Sequence, residues 1–221
     1  MDGPLPMRLE MLSAAIRRLL PAYNDEVDRL VERLQRTKFG AAAPPPGVPM
    51  PPFILPDDQG RLVDLASFTR KGPVAVVFLR GHWCPYCRVS LRALARAHAQ
   101  VAAEGLQIVA ITPERQRFNA GFKAETEAGF ALLTDLDNGY ALTLNLVFWL
   151  GDELPVRLRV GSGRHVAEAQ GNDGWFFPIP ATFVVGADGM IKARFVDPDY
   201  RKRMDLDDMM AALRDAARPP S

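Results

Sequence analysis

Apolar positions follow two rhythms along the chain. Over residues 7–38, Leu9, Leu12, Ile16, Leu19 and Leu20, and then Val27, Leu30, Val31 and Leu34, recur every three or four residues. This spacing predicts two amphipathic helices broken near Pro21. Residues 41–52, with Pro44-Pro45-Pro46 and Pro51-Pro52, read as an extended linker. Beyond it, apolar residues flank the turn residues Pro56-Asp57-Asp58-Gln59-Gly60, which predicts a hairpin over 53–65. Residues 74–79 form an unbroken apolar run rich in β-branched side chains, the pattern of a strand covered on both faces. Val89, Leu91, Leu94, Ala95, His98 and Val101 then return to helical spacing.

The alternation continues with a buried strand over 106–112, a helix over 114–128, a strand over 130–133 and a short helix over 138–144. Strand alternating with helix predicts parallel pairing through right-handed crossovers. Residues 145–177 show no regular period and read as a long excursion holding Phe148, Trp149, Trp175, Phe176 and Phe177. These aromatics either receive a substrate or fold back as core. A strand over 181–185, a turn at Asp188-Gly189 and a strand over 191–196 form a second hairpin. Leu206, Met209, Met210 and Leu213 mark the final helix. The organisation expected is a helical extension over 1–40, the linker over 41–52 and one domain over 53–217.

A chain of 221 residues with 48% hydrophobic content has ample material for a core. With 27 basic against 26 acidic residues, the charge balance implies neither a nucleic-acid nor an acidic-membrane partner. No apolar stretch approaches the length of a membrane span. The first twenty residues carry early acids and Arg17-Arg18 without a long apolar core, which does not read as a secretory signal, so the expected compartment is cytoplasmic. In a reducing compartment, two cysteines point to catalysis or metal binding more than to a structural cross-link.

Both cysteines fall in Trp83-Cys84-Pro85-Tyr86-Cys87, where the apolar strand turns at Gly81 into a helix. The first backbone N–H groups of a helix lack internal partners and carry the positive end of its dipole, which favours a thiolate. Such settings bring a thiol from ~8.5 to roughly 3.5–7.5. Cys84 fits as N-cap, with Pro85 at the first helical position. Cys87 follows one turn later, within disulfide reach. A loop this small stabilises the fold little, so the pair reads as redox-active. His82 is a candidate acid/base or thiolate partner, and Arg80 and Arg88 are candidate electrostatic partners of the thiolate. Each has a plainer reading as a solvated loop residue. Glu114, at the carboxyl end of the second buried strand, is either a proton acceptor for the thiols or a first-turn acid of the following helix.

The pentapeptide resembles the active site of the thioredoxin superfamily, with the Cys-Pro-Tyr-Cys tetrapeptide of glutaredoxins. The frame over 53–196 is similar to the alkyl hydroperoxide reductase and thiol-specific antioxidant, peroxiredoxin-like branch. The resemblance implies an α/β, thioredoxin-like fold, a central mixed sheet flanked by helices, here with an N-terminal helical extension. It implies that Ile179-Pro180 is a cis-proline element facing the Cys-x-x-Cys turn, against the plainer reading of a trans proline at a strand's first residue. The catalytic pair is Cys84 and Cys87, supported by Trp83, Pro85, Tyr86, His82 and Arg80. The cofactor expected is none beyond the redox-active disulfide.

The likeness divides at the active turn. Where peroxiredoxins carry the proline, threonine and cysteine of Pro-x-x-x-Thr-x-x-Cys, this chain has Arg80, Cys84 and Cys87. Pro180 stands where their peroxide-binding arginine would be, and Phe78 where thioredoxins carry a buried acid. Two redox orders follow. Cys84 attacks a disulfide and Cys87 resolves it, or Cys87 attacks a hydroperoxide and Cys84 resolves it. Partners implied are a thiol/disulfide or hydroperoxide substrate and a cellular reductant such as thioredoxin, glutaredoxin or glutathione. The N-terminal helices pack on the domain, cover a sheet edge or pair two protomers as a homodimer. A different class, a zinc-binding module joining the cysteines to His82, His98 or His165, has only half the usual ligand set; no metal site is expected.

Overall fold

The structure is a computed structural model that describes residues 3–155 and 166–218. Its centre is β3 (Val74–Phe78), the apolar run, every residue of which is buried. β3 pairs in parallel with β4 (Gln107–Thr112), and β4 in parallel with β5 (Ala131–Thr134). On its other side β3 pairs antiparallel with β8 (Ala181–Val185), which pairs antiparallel with β9 (Ile191–Val196). The five-stranded mixed sheet runs β5-β4-β3-β8-β9, the α/β, thioredoxin-like arrangement expected. The hairpin of β1 (Ile54–Pro56) and β2 (Leu62–Asp64), followed by the short α3 (Leu65–Thr69), leans on β5 through an Asp57–Leu133 bridge.

α4 (Pro85–Ala103) starts from the end of β3 and buries Tyr86, Cys87, Leu91, Leu94 and Val101. After the predicted strand over 106–112, α5 (Gln116–Thr126) begins later than expected, with Arg115 as N-cap, so Glu114 lies in the turn before the helix and not in its first turn. A single-turn α6 (Gly139–Thr143) follows β5. The excursion is more regular than its sequence suggests. β6 (Val147–Trp149) pairs antiparallel with β7 (Phe176–Pro178), and α7 (Val166–Gln170) lies between them. Phe148, Trp175 and Phe177 are buried, whereas Trp149 and Phe176, opposite each other in the register, are 41% and 50% exposed. α8 (Leu206–Ala217), capped by the Asp205 carboxylate on the Asp207 amide, packs on β8, β3 and β9.

α1 (Leu5–Leu19) and α2 (Pro21–Arg36) break at Leu20, with Pro21 supplying a first helical residue that needs no N–H partner. They pack on the domain. α1 lies on α4, and Leu9, Val27, Leu30, Val31 and Leu34 join the common core. The proline-rich segment is not a free tether. The Gly47 and Met50 amides donate to the Ile191 and Gly189 carbonyls, and the Ile191 amide to Val48, so the segment covers the start of edge strand β9.

Candidate active site

The parallel β3–β4 register places Phe78 opposite Ile111, so the turns after both strands meet at one end of the sheet. One turn carries the cysteines and the other Glu114. Gly81 has φ +130°, and a Cβ there would stand 2.5 Å from the Glu114 side chain. A glycine is required by both the left-handed backbone and the close approach. Through that gap the fully buried Glu114 carboxylate accepts from the His82 amide at 2.8 Å and meets His82 Nδ1 at 2.7 Å. A network of Thr112, Asn119 and Thr134 fixes the turn beneath it. Thr112 Oγ1 donates to Asn119 at 2.7 Å and accepts from the Glu114 amide at 3.1 Å, and Asn119 Nδ2 donates to Thr134 at 3.0 Å. His82 also stacks on Phe118, with ring centroids 5.3 Å apart. Glu114 is not the first-turn acid expected. It partners His82, a pairing that the separation of 32 residues hides in the sequence.

Cys84 is the N-cap of α4 with Pro85 at the first helical position, as expected. Both cysteines are reduced and both are 0% exposed. An attacking sulfur open to solvent is thus not found. The reason is the cover laid over the turn. Ser13 of α1 hydrogen-bonds the Tyr86 hydroxyl at 3.1 Å, Tyr23 of α2 lies beside Tyr200, and Tyr86 and Tyr200 meet edge to face at 5.8 Å. Asp28 of α2 adds an ion pair with Arg201 at 2.6 Å.

The charges under this cover are basic. Arg80, 2% exposed, spans Tyr200 at 3.8 Å, Trp83 at 4.7 Å and Phe177 at 5.8 Å from its guanidinium carbon to the ring centroids. Its backbone amide donates to Cys87 Sγ at 3.3 Å, and Arg203 Nη2 reaches the same sulfur at 3.6 Å. Burial pushes the Cys84 thiol up, but hydrogen bonding from Cys87 together with the Arg80 and Arg203 guanidiniums outweighs it and holds Cys84 well below the ordinary thiol value. Burial and the neighbouring Cys84 push Cys87 well above it. The pair is therefore polarised into one thiolate and one thiol.

Other candidates fall elsewhere. Arg88 donates to the His82 carbonyl at 3.3 Å and pairs with Glu125, so it faces outward and not toward the sulfurs. The Ile179–Pro180 peptide is trans, correcting the expectation of a cis-proline element. The Ile179 amide is tied to Leu146 at 2.7 Å as the chain passes directly from β7 into β8. Pro180 is nonetheless at the right end of the sheet, because Ala181 pairs with Phe78 just before the cysteine turn. His98 lies against Phe130, and His165 is outside the described residues. Among the described residues, no group of three His, Cys, Asp or Glu side chains is placed to hold a metal. Tyr23, Tyr200 and Arg203 were not legible as site residues. The one sequence signal for Tyr200 and Arg203 is the cluster of Tyr and Arg at 200–203, after the last strand.

The model of the AhpC/TSA family matches residues 46–194. The thiol:disulfide interchange protein DsbE of Pseudomonas aeruginosa is 32% identical over 99 residues, 45% of this chain and 48% of that protein. The chloroplastic peroxiredoxin Q of Sedum lineare is 31% identical over 88 residues, 40% of this chain and 47% of that one. The chain thus spans about half the length of these curated relatives. Among solved structures, peroxidoxin BcpB from Mycobacterium tuberculosis is similar in fold, with a TM-score of 0.59, 20% identity, and coverage of 77% of this chain and 97% of that one. No helix among the described residues is long and apolar enough to cross a membrane. With its mixed sheet and the family match over most of its length, the chain belongs to the AhpC/TSA family, the peroxiredoxin-like branch that its frame over 53–196 resembles.

Proposed function

We propose that the protein is a thiol–disulfide oxidoreductase in which Cys84 attacks and Cys87 resolves. The observation that carries this reading is the seat of Cys84 at the N-cap of α4, where unpartnered helix N–H groups favour a thiolate, with Cys87 one turn later. The Cys84 thiolate attacks one sulfur of a substrate disulfide, forms a mixed disulfide and expels the other half as a thiolate. Cys87 loses its proton as it attacks Cys84 Sγ, expels the remaining half, and leaves the Cys84–Cys87 disulfide. Two electrons pass to the substrate, and a cellular dithiol or two monothiols return them. Similarity to DsbE over part of the chain supports this order.

A second reading has its own support. Both donors to sulfur, the Arg80 amide and the Arg203 guanidinium, fall on Cys87, and they would favour a peroxidatic thiolate there. Cys87 would then reduce a hydroperoxide to an alcohol, become a sulfenic acid and condense with Cys84, releasing water. Similarity to peroxiredoxin Q favours this order. Single-turnover reactions of Cys84→Ser and Cys87→Ser with hydrogen peroxide and with a protein disulfide separate the two. The first order predicts disulfide reduction lost in both variants, with sulfenic acid forming slowly. Rapid sulfenic acid on Cys87 in Cys84→Ser establishes the second.

A further inference from the structure

Arg80 is a buried cation without a matching anion. Its Nε and Nη1 have no hydrogen-bond partner, and among the described residues no carboxylate lies within ion-pair distance of it. Ring faces of Trp83, Tyr200 and Phe177 surround it. Cation–π contacts offset only part of what a guanidinium loses on leaving water, and a buried charge is ordinarily retained only with a partner. Arg203, a second buried cation at this site, is different, because it donates to the Lys202 carbonyl at 2.6 Å and to that of Tyr200. The phenols facing this space, Tyr23, Tyr86 and Tyr200, are all pushed up by burial and stay neutral near pH 7. Glu26 of α2 lies beside Tyr23 and faces Arg29 at 4.0 Å. The cysteine pair lies beside it, with Cys87 Sγ 3.3 Å from the Arg80 amide.

We infer that Arg80 is a positioning residue that sets the redox poise of the cysteine pair, because its guanidinium is compensated by a thiolate in the dithiol form and by no anion in the disulfide form. This rests on the proposed dithiol/disulfide couple. Compensation of the thiolate by Arg80 shifts the couple toward its dithiol form, so the pair is a milder reductant than it would be without Arg80. When two glutathione thiols reduce the Cys84–Cys87 bond, that S–S bond breaks and one forms in glutathione disulfide. The two glutathione thiols lose two protons. One sulfur of the pair takes one, the other stays a thiolate, and one proton is released.

That proton balance can be measured. Full-length protein is equilibrated in glutathione/glutathione disulfide buffers from pH 5.5 to 8, quenched with acid, alkylated and weighed by mass spectrometry. In the wild type, the equilibrium constant for reduction rises about tenfold per pH unit through the neutral range. Arg80→Met shifts it at pH 7 at least about tenfold toward the disulfide, about 30 mV, and flattens the pH dependence. Arg80→Lys, which keeps the charge, stays within about threefold of the wild type. A pH-independent wild-type constant, or Arg80→Met equal to wild type, overturns the inference; the wild-type slope decides it if Arg80→Met does not fold. Should the wild type form no Cys84–Cys87 disulfide in any buffer, the proposed function itself fails, a result separable from the other two.

Discussion

Burial of both sulfurs makes the N-terminal cover the barrier to any chemistry at the turn, and Leu30→Ala tests that directly. Leu30 sits on the buried side of α2 with Val27, Val31 and Leu34. Truncating a buried leucine costs about 2–5 kcal/mol, depending on how far the site collapses around the cavity. If the thiols are reached by α1 and α2 lifting off α4, that loss falls on the closed state alone. The opening equilibrium then rises about 30-fold to several thousand-fold. The assay is alkylation of the reduced protein by a bulky maleimide under native conditions, located by peptide mass spectrometry, with urea unfolding run in parallel. Leu132→Ala, at a wholly buried position of β5, is the control, since it weakens the sheet rather than the cover. Acceleration in Leu30→Ala well beyond that control is expected. A wild-type alkylation rate in Leu30→Ala, or equal acceleration in both variants, would refute the cover as the gate.

Two further expectations come from local geometry. Gly81→Ala places a side chain at φ +130° and against the Glu114 carboxylate, so it should destabilise the fold by roughly 2–5 kcal/mol, read by urea unfolding; a loss below 1 kcal/mol would contradict the packing described. At Asp57 burial opposes the charge, but the Arg61 side chain and the Arg61 and Gln59 amides win and hold the carboxyl below its ordinary value. A lowered folded value means stabilisation present above the unfolded value near ~3.9 and lost as pH falls through the folded one. Asp57→Asn should therefore cost about 1–3 kcal/mol at pH 7 and flatten the loss of stability below pH 4 in thermal melts. An unchanged acid limb would count against it.

The sheet was legible because its strands announce themselves. The unbroken apolar run at 74–78 and the alternation that follows could only be a central strand with crossovers, and Pro21 and Pro85 mark helix starts by what their rings forbid. The sequence also pointed to the cysteine pair and its seat at a helix N-terminus. What surrounds the pair was less legible, because it arrives from far along the chain. Tyr23 and Ser13 reach it from the extension, and Arg203 approaches Cys87 across 116 residues. No local period encodes such meetings. Glu114 was placed at the correct strand end but given the wrong partner, since helix-dipole reasoning assumed a helix start two residues too early. At Ile179-Pro180 the resemblance overrode the commoner trans geometry, and the commoner geometry is the one adopted.

The central claim is that Cys84 strikes first. Purified Cys87→Ser, reduced and then mixed with a small protein carrying an accessible disulfide, should accumulate one covalent adduct, its intact mass equal to the sum and its cross-link mapped to Cys84. Cys84→Ser treated alike should form little. An adduct that builds on Cys87 in Cys84→Ser, with none on Cys84 in the reciprocal variant, would contradict the account.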